Sequence, residues 1–152
     1  VYLRDYKINL TKEEKYSIAL YNGFMGGVIN TSCRLHTVPE EMLQLWNFIE
    51  PSDKRVTAEL PFWSEDKPQI VALKNYPNGK AIFVVNIQDV ENSDSYNFME
   101  LTGFKNPYVF DWYPEGYQPT GQYEEIEITL KSHESRLLYL SENGDPPPED
   151  LN

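Results

Sequence analysis

Residues Gln69 to Asp89, QIVALKNYPNGKAIFVVNIQD, constrain the fold more than any other stretch of this chain. Ile70, Val71, Ala72 and Leu73 form one apolar run; Ile82, Phe83, Val84, Val85 and Ile87 form another. Between them Pro77-Asn78-Gly79 supplies a turn, with proline presetting φ and Asn-Gly suited to positive φ. The stretch is therefore expected to be a β-hairpin. Neither run alternates cleanly between apolar and polar residues, so both strands are expected to be covered on both faces, as central strands are.

The residues beyond Pro51 keep to this grammar. Val56 to Trp63 sets Val56, Ala58 and Leu60 against Thr57 and Glu59. Ser93-Asp94 reads as a turn, followed by a strand holding Tyr96, Phe98 and Leu101. Tyr108, Phe110 and Trp112 alternate with Val109, Asp111 and Tyr113, Pro114 to Gly121 reads as a Gly/Pro-rich loop, and Ile126, Ile128 and Leu130 alternate with Glu125, Glu127 and Thr129. Arg136 to Leu140 is the closing strand. About seven short strands broken by turn residues predict an antiparallel two-sheet β-sandwich over residues 52–141. Residues 142–152 carry three prolines and four acids and are expected to be a disordered tail.

Residues 1–51 have a different pattern. Val1 to Arg4 reads as extended. Thr11 and Glu14 then form a capping box that opens a helix whose apolar face holds Tyr16, Ala19, Leu20, Gly23 and Phe24, and Gly26-Gly27 should end it. Val28 to Thr31 reads as a buried strand. Pro39-Glu40-Glu41 opens a second helix, with Met42, Leu45, Trp46 and Ile49 on one face and Pro51 as its stop. Strand, helix, strand, helix is the pattern of a parallel β-α-β-α unit. Two parallel strands do not make a domain, so the apolar faces around Leu20, Phe24, Val28, Ile29 and Leu45 need cover. Either the helices fold back on the sandwich, or they drive self-association or packing against further barrel.

Charge narrows the partners. Thirteen basic residues against twenty-four acidic ones leave a net charge of −11. Nucleic acid and anionic membranes need clustered Lys and Arg, so both are excluded and neutral partners such as sugars are favoured. No apolar run approaches the ~20 residues of a membrane span. Cys33 is the only cysteine, so no internal disulfide can form, which favours a reducing compartment such as the cytoplasm. The chain begins at Val1 without methionine and reads as a piece of something longer.

The order of these motifs resembles one family. Tyr2-Leu3-Arg4-Asp5, a helix, Gly26-Gly27-Val28-Ile29-Asn30-Thr31-Ser32 and then a Pro-Glu-Glu helix are similar to the end of the catalytic barrel in α-galactosidase-like (melibiase) glycoside hydrolases. In that family a C-terminal antiparallel sandwich comes next. Its hairpin strand is matched here by Val84-Val85-Asn86, and its closing motif by Leu130, His133, Ser135, Arg136, Leu137 and Leu140. The resemblance runs to Ser141 and implies the last two β/α units of a (β/α)8 barrel plus the sandwich. It implies retaining hydrolysis of α-galactosides or related α-glycosides by two aspartates on earlier barrel strands. That region has no counterpart here, so no catalytic residue is assigned, and neither a cofactor nor a metal is expected. One position departs from the pattern: the family has Asp after its Thr-Ser pair, and this chain has Cys33.

Barrel active sites lie at strand C-terminal ends. On this reading those ends are Arg4-Asp5 and Ser32-Cys33-Arg34, which are the candidate substrate-binding residues of an intact barrel. The plainer alternative is a surface ion pair between Arg4 and Asp5. Cys33 has only His36 nearby in sequence and reads as an ordinary thiol rather than a nucleophile. His36 and His133 are too few for zinc. Glu124, Glu125 and Glu127 suggest a catalytic set at first sight, but strand alternation puts Glu125 and Glu127 on the wet face, where a charged edge blocks sheet association. Trp63, Tyr108, Trp112, Tyr113, Tyr117 and Tyr123 are possible sugar platforms. Of these Trp112, with Phe110, is assigned to core, and Tyr113, Tyr117 and Tyr123 keep some prospect of exposure. Asn9-Leu10-Thr11 and Asn30-Thr31-Ser32 match the N-glycosylation pattern, but a capping Thr11 and a strand Asn30 make both accidental.

Overall fold

The computed structural model of the 152-residue chain describes residues 2–3, 9–26, 30–31, 40, 43–45, 57–63 and 65–148. Strands β1 (Tyr2–Leu3) and β2 (Asn30–Thr31) pair in parallel, joined through helix α1 (Lys12–Met25). The helix starts at the expected capping box. Glu14 N–H donates to Thr11 Oγ1 at 3.2 Å, and Thr11 N–H donates to Glu14 Oε2 at 2.6 Å. It ends at Gly26, whose left-handed φ of 73° disfavours any side chain. Leu20 and Phe24 are buried, so one face of α1 is covered. Positions 40 and 43–45 are helical, within the expected second helix, and Leu45 is buried. Met42, Trp46 and Ile49 lie outside the described residues.

The central hairpin forms as β4 (Gln69–Tyr76) and β5 (Gly79–Asn86), paired from Gln69–Asn86 to Tyr76–Gly79. Val71, Ala72, Leu73, Ile82, Phe83 and Val84 are all buried, so both faces are covered as the unbroken apolar runs predict. The turn differs from expectation: neither Asn78 nor Gly79 has positive φ. Gly79 is required by proximity instead, because a Cβ there would run into the Leu140 carbonyl oxygen and the Tyr139 ring.

Other elements move from their expected places. Of the strand expected over Val56 to Trp63, Val56 lies outside the described residues and β3 spans Ala58–Glu59, because Leu60 to Trp63 folds into a turn closed by the Trp63 N–H on the Leu60 carbonyl. Ser93-Asp94 is no turn; both lie inside β6 (Asn92–Asn97). Phe98 and Leu101 belong to a short helix, α2 (Phe98–Thr102). Asn97 caps it through Oδ1, and Gly103 ends it at φ 80°. Only Tyr96 and Phe98 keep the period of two; Phe98 and Leu101 are three apart, which puts them on one face of a helix and on opposite faces of a strand. Strand β7 (Tyr108–Tyr113) falls where expected, but the Gly/Pro stretch beyond it is an edge strand, β8 (Gly116–Gln122). The edge tolerates Pro119, and the register shifts between Val109 and Phe110. Strand β9 (Glu125–Leu130) keeps its wet and dry faces. Strand β10 (Ser135–Ser141) closes the sequence but occupies the middle of the sheet.

The large sheet runs β3-β4-β5-β10-β7-β8, and β6-β9 forms a second, two-stranded sheet. One face of the large sheet presents Val71, Leu73, Ile82, Val84, Val109, Leu138 and Leu140 to Tyr96, Ile128 and Leu130 of the small sheet and to Phe98 and Leu101 of α2. The other presents Ala72, Ala81, Phe83, Leu137 and Tyr139 to Leu20 and Phe24 of α1. Phe24 stacks on Phe83 with ring centroids 5.9 Å apart. Burying Leu20 and Phe24 is worth roughly 2 kcal/mol each. The fold is thus mainly β, a two-sheet antiparallel sandwich with a parallel strand pair attached through a helix.

Candidate functional site

The parallel pairing sets Tyr2 opposite Asn30 and Leu3 opposite Thr31, so both strands run the same way and end together. Arg4, Asp5, Ser32, Cys33 and Arg34 are the residues next in sequence after those ends; all five lie outside the described residues. What is described is the framework: two co-directional strands, and a helix that docks on the sandwich.

Within the sandwich the strongest polar constellation is one that alternation concealed. Asp111 shares parity with Val109 on β7 and is only 4% exposed. Arg136, on neighbouring β10, reaches its Oδ2 with Nε at 3.0 Å and Nη2 at 2.7 Å. The Tyr113 hydroxyl donates to the same oxygen at 3.2 Å. Asp111 beside it, then burial and the hydrogen bond, push the Tyr113 phenol up. The signal available in sequence was the acid itself, the one charged residue of an otherwise apolar and aromatic strand. An acid there needs a cationic partner.

A second polar group is structural. Gln69, Asn86 and Asn92 interlock beneath the crossing of the two sheets: Asn92 Nδ2 donates to Asn86 Oδ1 at 2.7 Å, and Gln69 Nε2 donates to the Ile128 carbonyl at 2.9 Å. Tyr96 OH donates to Gln69 Oε1 at 2.9 Å, and burial pushes its phenol up strongly. Every partner is internal, so the group ties loops together and offers a ligand nothing.

The expected aromatics divide. Trp63 is 72% exposed, and Tyr108, Tyr113 and Tyr123 are also exposed. Trp112 and Phe110 pack against the α1-side core, as assigned. Tyr117 is half-buried: it packs against the same core, its hydroxyl is buried without a hydrogen-bond partner among the described residues, and burial pushes its phenol well up. Pairing of β8 with β7 draws it inward. Glu124, Glu125 and Glu127 face solvent. His133 sits in the turn before β10 at φ 58°, with Nε2 3.0 Å from Asp89 Oδ1 and its carbonyl accepting from Ser17 Oγ of α1.

No protein-family model matches the chain, and no curated protein sequence matches it significantly. Solved structures do match. α-Galactosidase I from Mortierella vinacea superposes with a TM-score of 0.74 at 12% identity, over 91% of this chain and 38% of that one. A glycoside hydrolase family 27 β-L-arabinopyranosidase from Geobacillus stearothermophilus, solved in complex with arabinose, gives 0.72 at 14% identity, over 88% of this chain and 31% of that one. An α-galactosidase from Saccharomyces cerevisiae, solved with raffinose, gives 0.67 at 8% identity, over 96% and 46%. The chain thus spans between about a third and under a half of the length of the enzymes it matches. Its fold is that of the C-terminal part of α-galactosidase-like enzymes, including their C-terminal β-sandwich.

Proposed function

We propose that this chain is the C-terminal, non-catalytic portion of a retaining glycosidase acting on α-galactosides or related α-glycosides. Residues 1–51 complete the catalytic barrel, residues 52–141 brace it, and residues 142–152 form a loose tail. In the intact enzyme Arg4, Asp5, Ser32, Cys33 and Arg34 line the rim of the sugar pocket, and the carboxylates that do the chemistry belong to strands outside this chain. The observation that carries this reading is the parallel β1-α1-β2 unit docked on the sandwich through Leu20 and Phe24. Such a unit has a use only as part of a longer parallel sheet.

The test is hydrolysis of a chromogenic α-galactoside by the chain alone, at high concentration. No turnover is expected. Turnover abolished by a single substitution within these 152 residues would overturn the proposal, because the active site would then lie here.

A further inference from the structure

We propose that a fork in the large sheet, between β7 and β10, is a binding site for a neutral sugar ring, built entirely from α1 and sandwich residues. The register defines the fork. β10 pairs with β5 all the way from Ser135 to Leu140, but with β7 only from Leu138 to Ser141. β7 runs on through Trp112 and Tyr113, paired there to β8 alone. The two strands therefore part after the Asp111–Leu138 pair, and Ser135, Arg136 and Leu137 have no strand partner on that side among the described residues. A cavity of about 360 Å³ opens in the gap. That is within the roughly 300–1,000 Å³ of small-ligand sites.

The lining has the chemistry of polyol recognition. Trp112 and Tyr113 of β7 and Tyr16 of α1 line it, the Tyr16 and Trp112 ring centroids 6.3 Å apart, giving aromatic surface for the C–H face of a pyranose. Asp111 and Arg136 bridge the fork as a pair. Two of the five guanidinium donors are engaged by Asp111, so the pair is neutral as a whole yet offers charge-assisted hydrogen bonds to hydroxyl groups. On β10 Ser135 Oγ is buried with no hydrogen-bond partner among the described residues. A buried hydroxyl left unpaired beside a cavity is satisfied once a ligand hydroxyl reaches it. An anionic ligand would meet Glu134 and a chain of net charge −11, and the Asp111–Arg136 pair, neutral as a whole, offers hydrogen bonds rather than a counter-charge, which suits an uncharged ligand. The site does not depend on the barrel; the choice of a sugar over another neutral polar molecule rests on the glycosidase reading above.

The experiment is an NMR titration of the full chain with methyl α-galactoside and methyl α-glucoside, with galacturonate as the anionic comparison. Saturable shifts are expected at the Trp112 indole, Tyr113 and the Arg136 Nε–H, with a Kd on the order of 1 mM for a neutral glycoside and weaker binding of galacturonate. Tyr113→Ala and Arg136→Met should each weaken binding about tenfold or more. Arg136→Met orphans Asp111 and can unfold the chain, so Tyr113→Ala, at an exposed position, carries the test if it does. The proposal is overturned by silence at the fork up to about 100 mM of both glycosides. It also fails if the shifts centre elsewhere, such as on Trp63, or if a folded Tyr113→Ala binds unchanged. Because the hydrolysis assay reads only catalysis, a silent fork leaves the glycosidase reading standing, and turnover by the chain alone leaves the fork standing.

Discussion

Asn86, the last residue of β5, is fully buried. Its Nδ2 lies 2.8 Å from the Val90 carbonyl, 3.2 Å from that of Leu130 and 2.8 Å from that of Lys131. Its Oδ1 accepts from the Gln88 N–H at 2.8 Å and from Asn92 Nδ2 at 2.7 Å. One amide therefore joins the β5–β6 connection to the end of β9. Asn86→Ala would leave several buried backbone groups unpaired and is expected to destabilise the chain by about 3 kcal/mol. The urea midpoint of the variant checks this, and a loss below about 1 kcal/mol would mean that water replaces the amide. The sequence shows an Asn after two valines, in a pattern shared with a family. It cannot show what the side chain bonds, because residues 90, 130 and 131 come to it only through the closed fold. Asp111 is hidden in another way: alternation sets it opposite the aromatics assigned to core, and only a sheet covered on both faces buries that parity and makes Arg136 its partner.

At the scale of elements, α1 is the most predictable. Its cap, its apolar face and its stop are all local, set by residues three or four apart. Thr11→Ala is expected to loosen the first turn at a cost of about 1 kcal/mol, read by amide exchange along α1. The same cap has a pH signature. Thr11 holds the Glu14 carboxylate, first through its backbone N–H and then through its side chain, and so lowers its pKa below the ordinary 4.5. A lowered carboxyl pKa means stability that is present above the ordinary value and lost as pH falls through the folded one. Amide protection in the first turn of α1 should therefore decline as pH falls below the ordinary 4.5; Glu14→Gln should abolish that decline, whereas Thr11→Ala, which keeps the backbone N–H, should only reduce it. The strands were legible where an apolar run was long. They were misplaced where short segments depend on their neighbours. β8 exists because β7 offers it an edge, and Gly-Tyr-Gln-Pro-Thr-Gly gives no strand signal by itself. α2 took Phe98 and Leu101 because Asn97 and Gly103 cap so short a helix at both ends.

For the whole molecule, three buried phenols set an alkaline limit. Burial is the first cause of the raised pKa of Tyr96, Tyr117 and Tyr139, with nearby Asp94 adding to the first and Asp145 to the last. Raised phenol pKa values mean stability complete below the ordinary value of 10 and lost as pH rises above it. Lys74, lowered by burial, acts in the opposite sense: its cost eases as pH climbs toward 10.5. Three phenols outweigh one amine. The thermal midpoint should hold to about pH 9 and fall steeply above 10, with the last phenolate absorbance appearing only as the chain unfolds; a midpoint that stays level to about pH 11 would contradict this. The architecture itself was legible in outline, as a parallel unit followed by a sandwich. The order of strands within the sheet was not, because nothing local tells β10 where to insert. It inserts between β5 and β7, joining β3-β4-β5 to β7-β8. On the ribosome, this is the last seam to be sewn. Two half-sheets with open edges must wait until residues 135–141 have left the exit tunnel, and until then each offers an unpaired strand to any other chain. A truncation just before Ser135 would leave both half-sheets and no strand to join them.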